Sequence, residues 1–350
     1  MSSLLIVTDA WRPQINGVVR SLEKLAEELS ALGVRVEFLT PLEFKNIPMP
    51  SYPEIRLSVT WPAAVRKRIS SFNCSHLHIA TEGPLGLMAQ RVARQEGLVF
   101  TTSYHTRFPE YLNARLPIPL SLSYAWLRRF HNSGSGCMVA TQSLENELAQ
   151  RGFKRMMRWS RGVDHDRFRP DHESVFNGGV EGPIFLNVGR VAIEKNIEAF
   201  LQLDLPGTKV VVGDGPQLEL LKQKYPDVLF TGAKQGDELA QYYASADVFV
   251  FPSLTDTFGN VLLEAISSGT PVAAYPVMGP IDVIGNSGAG VLDDDLQKAA
   301  LAALEIDRAH CRQVALKYSW RACAEQFYRN ALSAQKYAAQ LKEMQRLEHS

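Results

Sequence analysis

Residues 247–274 read DVFVFPSLTDTFGNVLLEAISSGTPVAA, and the residue types along them spell a strand, a loop, a helix and a second strand. The apolar run ending at Pro252 reads as a buried strand, a polar loop follows, and a helix opens near Gly259 and stops at Gly269. Such a unit belongs to a parallel sheet covered by helices. The helix amino terminus is thereby aimed out of the sheet, where the amides of Phe258 to Val261 and the helix dipole favour an anionic oxygen such as that of a diphosphate. Glu264 lies inside that helix, flanked by Leu262, Leu263, Ala265 and Ile266. Such company disfavours a merely solvated carboxylate and suits one that accepts two hydrogen bonds from a ribose diol. Asp256 sits eight residues earlier, in the loop, on the sugar side of that grip. The plainer alternative is a surface loop with a capping Asp and a solvated Glu.

Working outward, IFLNVGR, NIEAFLQL, KVVVGDG, QLELLKQKY, VLFTG and DELAQYYASA alternate strand and helix ahead of this segment. The first half alternates likewise. LLIVTDA is followed by an amphipathic stretch with Val18, Leu22, Leu25 and Leu29 at helical spacing, stopped by Gly33, then by VRVEFLTP, HLHIA, PLGLMAQRVARQEG and VFTTSYHT. Residues 164–182, polar and without periodicity, read as a linker. The expected organisation is a first doubly wound domain over 1–168, a second over 169–318, and a helical tail over 319–350. Two such domains are expected to face each other across a cleft at the carboxyl ends of both sets of strands.

Further candidates sit at strand ends. In NVGRVAIEKN, Arg190 and Lys195 place two cations where they can neutralise a leaving diphosphate, although Lys195 could instead pair with Glu194 or Glu198. Gly213-Asp214-Gly215 imitates a dinucleotide-binding turn, but Leu218 stands where a third glycine would be needed. Asn16-Gly17 marks the hand-over from first strand to first helix, equally a phosphate-approaching turn or an ordinary cap. His105 follows a buried strand in SYHTRFPEYL. Glu82, in ATEGPLG, can hydrogen-bond an acceptor, brace His105, or simply favour a helix amino terminus. Asp293-Asp294-Asp295 reads as a helix cap and no metal site is expected.

Composition bounds the class. With 45% hydrophobic and 21% charged residues, the 350-residue chain is expected to be globular, neither disordered nor membrane-embedded. Leu4 to Val7 is too short an apolar run for a signal peptide, and nothing approaches the roughly 18 apolar residues of a membrane span. Cys74, Cys137, Cys311 and Cys323 lack metal or disulfide-framework spacing, so a reducing, cytoplasmic setting is expected. The net charge of zero conceals a split: residues 1–170 carry 22 Lys and Arg against 14 Asp and Glu, and residues 171–350 carry 15 against 23. A partner for the basic half could be a phospholipid surface, an acidic glycan or nucleic acid, or the two halves could attract each other. Basic stretches interleaved with Trp, Phe and Met at Trp61–Phe72, Leu127–Phe130 and Lys154–Arg161 suit an anionic bilayer, or ordinary surface helices with snorkelling side chains.

The Asp256-x7-Glu264 segment resembles the acid-x7-acid signature of the retaining family-4 glycosyltransferases, and the likeness extends over most of the chain. That resemblance implies the two-domain GT-B fold and donor-site roles: Glu264 on the nucleotide ribose, Thr257, Phe258, Gly259 and Asn260 along the donor sugar and phosphates, and Arg190 and Lys195 on the diphosphate. It further implies Gly17 near the donor phosphate, His105 against the transferred sugar, Gly213 and Gly215 flanking the nucleotide, and Lys234 near the base. The family's first acid is usually Glu, so Asp256 is shorter by one methylene, and Arg161 in GVDHDRF replaces a frequent Asn. The implied reaction moves a hexosyl unit from GDP-mannose or a UDP-sugar to a hydroxyl of a glycolipid or glycan precursor. It needs no cofactor beyond the donor, no metal and no nucleic acid. An epimerase on the same fold, or a sugar-nucleotide binding protein, is the alternative.

Overall fold

The computed structural model describes residues 2–14, 17–49, 52–113, 118–176 and 179–348; Asn16 lies outside them. Two compact units emerge, one of Met1–Ser160 with Trp320–Ser350, the other of Arg161–Ser319. The division falls at Ser160, ahead of the expected 168, and both Arg161 and Phe168, the latter inside the stretch read as a linker, are buried. The tail is no separate element either: it returns to the first unit.

The first unit holds β1 (Ser3–Val7), α1 (Gly17–Ala31), β2 (Arg35–Leu39), β3 (Lys45–Met49), β4 (Tyr52–Val59), α2 (Pro62–Phe72), β5 (His76–Ile79), α3 (Pro84–Gln95), β6 (Phe100–Tyr104), α4 (Phe108–Asn113), α5 (Leu120–Asn132), β7 (Gly136–Val139), α6 (Gln142–Gln150) and β8 (Met156–Arg158). Its parallel sheet runs β2-β1-β5-β6-β7-β8, with β3 and β4 forming a separate antiparallel pair. The central strands β5, β6 and β7 are buried on both faces, as a parallel sheet covered by helices on each side requires. Val19, Leu22, Leu25 and Leu29 line the inner face of α1, with Leu22, Leu25 and Leu29 packing on Leu4 and Ile6.

The second unit holds β9 (Ile184–Val188), α7 (Ile197–Leu201), β10 (Thr208–Val212), α8 (Leu218–Lys224), β11 (Leu229–Gly232), α9 (Gly236–Ala244), β12 (Val248–Phe251), α10 (Asn260–Ser267), β13 (Val272–Ala274), α11 (Pro280–Val283), β14 (Gly290–Leu292), α12 (Leu296–Ala303) and α13 (Arg308–Ala315). A single helix, α14 (Trp320–Glu348), completes the chain and puts Cys323, Ala324 and Phe327 into the first unit's core beside Trp159. The second sheet runs β11-β10-β9-β12-β13-β14, so its order reverses between β9 and β12. Loops leaving the carboxyl ends of neighbouring strands diverge at such a point and leave a crevice for ligands. The loop after β9 carries Arg190 and Lys195, and the loop after β12 carries Asp256 to Gly259.

Two of the basic stretches differ from their reading. Arg66 and Arg68 of α2 are committed to ion pairs, with Glu96 and with Glu37 and Glu43, and within Lys154–Arg161 the residues Met156–Arg158 form edge strand β8 rather than a helix. Among the described residues no helix is long and apolar enough to cross a membrane.

Candidate donor site

Chain order builds the site in the second unit. The side-chain amide of Asn187, buried in β9, donates to the carbonyl of Val250 at 3.0 Å, and that of Asn196 donates to the carbonyl of Pro252 at 3.0 Å. The two switch-point loops are thus tied together at their roots. Lys195 Nζ then reaches Asp256 Oδ1 at 2.6 Å, with side chains only 27% and 18% exposed. Asp256 Oδ2 is buried and has no hydrogen-bond partner among the described residues. A buried carboxylate oxygen left in that state is costly unless a ligand hydroxyl or cation meets it. Lys195 thus takes Asp256 as a partner, while Glu198, one of the glutamates considered for it, is held by Lys224 and by Tyr225.

Gly259 precedes α10 with φ +82°, a conformation that a Cβ would strain, and it turns the chain from loop into helix. Thr257 stays half-buried in the loop, and Asn260 is the first helical residue. Phe258 is buried at 6% exposure, so its backbone rather than its ring is what it can offer a ligand. Gly269 ends the helix region with φ +75°, as read. Inside α10, Glu264 is half-buried, and Tyr243, wholly buried on α9, donates its hydroxyl to Glu264 Oε2 at 3.0 Å.

Gly213 and Gly215 do their visible work by close approach. A Cβ on Gly213 would stand 1.8 Å from the carbonyl oxygen of Gly189, and one on Gly215 would stand 2.4 Å from that of Val191. They let the loop after β10 lie against the backbone that carries Arg190. Lys234, beyond β11, is bound to Glu238 at 2.5 Å, which raises its pKa. Asp295 accepts from the amides of Gln297 and Lys298 as the cap of α12, and no metal-holding group of acids, histidines or cysteines occurs among the described residues.

In the first unit, Gly17 opens α1 as its first, exposed residue. His105 follows β6 and packs edge-on against Trp159, ring centroids 5.7 Å apart. Glu82 meets a partner no local pattern announced: His131, on α5, lies 3.0 Å from Glu82 Oε1 through Nε2, with Nδ1 2.9 Å from Thr102 Oγ1. Burial opposes charge on this ring, but the sulfur of Cys137 and the Glu82 carboxylate outweigh it and push the pKa up to about 10. Asp9 was also missed. Its carboxylate accepts from the amides of Leu85 and Gly86 at 2.7 and 3.0 Å, capping α3 and fixing the turn that carries Glu82.

Two doubly wound units, each with chemistry-bearing residues at strand ends, define a GT-B nucleotide-sugar enzyme. Residues 15–167 match the family described as Glycosyltransferase Family 4, and residues 182–306 the one described as Glycosyl transferases group 1. A GDP-mannose-dependent alpha-mannosyltransferase of Mycobacterium tuberculosis is 30% identical over 82% of this chain and 82% of its own. Sulfoquinovosyl transferase SQD2 of Arabidopsis thaliana is 29% identical over 93% of this chain and 70% of its own. Among solved structures, a sucrose-phosphate synthase of Thermosynechococcus elongatus superposes with a TM-score of 0.75 at 20% identity, covering 97% of this chain and all 100% of its own. Anabaena HepE in complex with UDP gives 0.69 at 15% identity, over 95% and 100%. The chain belongs to the family-4 glycosyltransferases and is a glycosyltransferase of GT-B fold.

Proposed function

We propose that this enzyme transfers a hexosyl unit, with retention of anomeric configuration, from a nucleoside diphosphate sugar, GDP-mannose or a UDP-sugar, to a hydroxyl of a lipid-linked or glycan acceptor. The observation that carries the reading is the Lys195–Asp256 contact at the switch point, eight residues ahead of a Glu264 fixed by Tyr243. Glu264 would hold the ribose, Thr257 to Asn260 the phosphates and sugar, and Gly213, Gly215 and Lys234 the nucleotide's flank. His105 and Glu82 would serve the sugar and acceptor side, with Asn16 and Gly17 at the donor phosphate. Arg190 and Lys195 supply positive charge where the diphosphate gains negative charge. In the step itself the acceptor oxygen bonds to the anomeric carbon as the bond from that carbon to the phosphate oxygen breaks. The electron pair stays on the phosphate, which takes the acceptor's proton on the same face. No cofactor beyond the donor enters this scheme.

Relatives named as mannosyltransferases and a sulfoquinovosyl transferase support glycosyl transfer over epimerisation or binding alone, and one named alpha-monoglucosyldiacylglycerol synthase, of Streptococcus pneumoniae, supports a lipid acceptor. A peripheral station at an anionic bilayer, on the cytoplasmic side, belongs to the same reading. The test is a panel of UDP-, GDP- and ADP-sugars read by thermal shift, followed by NMR of the product's anomeric centre. One donor is expected to raise the melting temperature and yield an axial-to-axial or equatorial-to-equatorial product. Inversion at that centre, or a rearranged sugar formed without acceptor, would defeat the proposal.

A further inference from the structure

A shallow groove of about 550 Å³ runs along the flank of the first unit, lined by Leu87, Gln90, Arg91, Arg94 and Gln95 of α3 and by Arg129 of α5. It is outside every stretch singled out for the donor. Gln90 Nε2 donates to the Phe130 carbonyl at 3.2 Å and to Ser133 Oγ at 2.8 Å, locking α3 to the end of α5 and setting the groove's width. The arginines of α2 are spent on carboxylates, but no carboxylate among the described residues forms an ion pair with Arg91, Arg94 or Arg129. Three guanidinium groups gathered along one groove repel one another, and an anionic occupant with several acceptor oxygens relieves that repulsion.

The surface beside the groove is apolar. On α5, Leu122, Trp126 and Arg129 recur at helical spacing and share one outward face, with Leu122 63% and Trp126 38% exposed. Phe108, 42% exposed, places its ring 6.3 Å from that of Trp126. An exposed aromatic pair flanking unpaired arginines is what an interfacial surface requires: rings at headgroup depth and cations for the anionic headgroups. We propose that the α3–α5 face docks on an anionic phospholipid bilayer, with Arg91, Arg94 and Arg129 receiving phosphodiester headgroups and Phe108, Leu122 and Trp126 entering the acyl boundary. The proposal rests on the peripheral-membrane part of the function given above and locates it.

The test is co-sedimentation of the full chain with phosphatidylcholine vesicles, with and without phosphatidylglycerol, at low and raised salt. Binding is expected to require phosphatidylglycerol and to weaken as salt screens the arginines. Replacing all three arginines together, Arg91→Gln, Arg94→Gln and Arg129→Gln, should lower partitioning on the order of a hundredfold, as about fivefold per cation multiplies. With brominated acyl chains, tryptophan quenching should be present in the parent and lost in Trp126→Phe. The docking is overturned by equal sedimentation with both vesicle types at low salt, by a triple variant that binds as the parent does, or by a Trp126 that bromine never quenches. It is also overturned if glycerol phosphate occupies the groove in solution while vesicles stay unbound, which makes it a soluble-phosphate site. The nucleotide-sugar thermal shift is run on the same samples. If it persists when docking fails, only the docking is lost, whereas its absence from the parent strikes the function reading instead.

Discussion

Tyr243 on α9 donates its hydroxyl to Oε2 of Glu264 on α10 across 3.0 Å, from a wholly buried position against Phe168 and Phe249. The carboxylate that we propose to grip the ribose is therefore oriented from below by a residue twenty-one positions earlier in the chain. Tyr243→Phe keeps the ring and removes only the donor. Nucleotide affinity is expected to fall roughly tenfold, about 1.4 kcal/mol, by isothermal titration, with the melting temperature of the free enzyme changed far less. Unchanged affinity would separate Tyr243 from ligand binding.

Lys195→Ala removes one of the two cations proposed to meet the diphosphate and takes away the partner of Asp256 Oδ1. Turnover with a competent donor is expected to drop roughly 100- to 1,000-fold, with Lys195→Arg recovering part of it. Single-turnover rates check this, and a rate equal to the parent's would end the assigned role.

Gly213→Ala sets a methyl 1.8 Å from the Gly189 carbonyl oxygen, a backbone atom that cannot swing aside. A loss of about 3 kcal/mol or more is expected in urea titration of the second unit's transition, along with donor-induced stabilisation. Gly179→Ala, with nothing within 4 Å of the new carbon, is the neutral control.

His131 gives a pH signature. Its pKa rises on folding from 6.5 to about 10, so its contribution is complete below about pH 6.5 and is lost as pH climbs through 10. The groups facing it are Glu82, Thr102 and Cys137. Thermal melts should decline between neutral pH and pH 10, and Glu82→Gln should flatten that decline. Parallel curves for parent and variant would refute the coupling.

The β12–α10 segment was legible because each signal in it is local: an apolar run, a glycine with positive φ, a helix with an apolar face, a second glycine. Arg190 and Lys195 were legible for the same reason, each a cation just past a strand. What the loops hold in common was not. Lys195 and Asp256 are sixty-one residues apart and meet only because the strand order reverses between β9 and β12. Tyr243 lies in a stretch read only as a helix, Asp9 in one read only as a strand, and His131 just beyond a stretch noted only for its basic residues. Their partners are fixed by packing between elements, for which one sequence carries no marker. Basic composition misled in the opposite direction, since charge counts do not show that Arg66 and Arg68 are already neutralised by neighbours.

The return of α14 to the first unit bears on how the molecule is made. Phe327 fills the space against Trp159 and His78, ring centroids 5.0 and 4.9 Å away, and Leu4 and Ile6 near the amino terminus share that same core. On the ribosome, the half that emerges first therefore waits for the last helix, while Arg161–Ser319 can finish a sheet drawn wholly from its own residues. The order of synthesis and the order of completion are reversed, and a nascent chain halted before Trp320 would carry a finished second unit beside an unfinished first one.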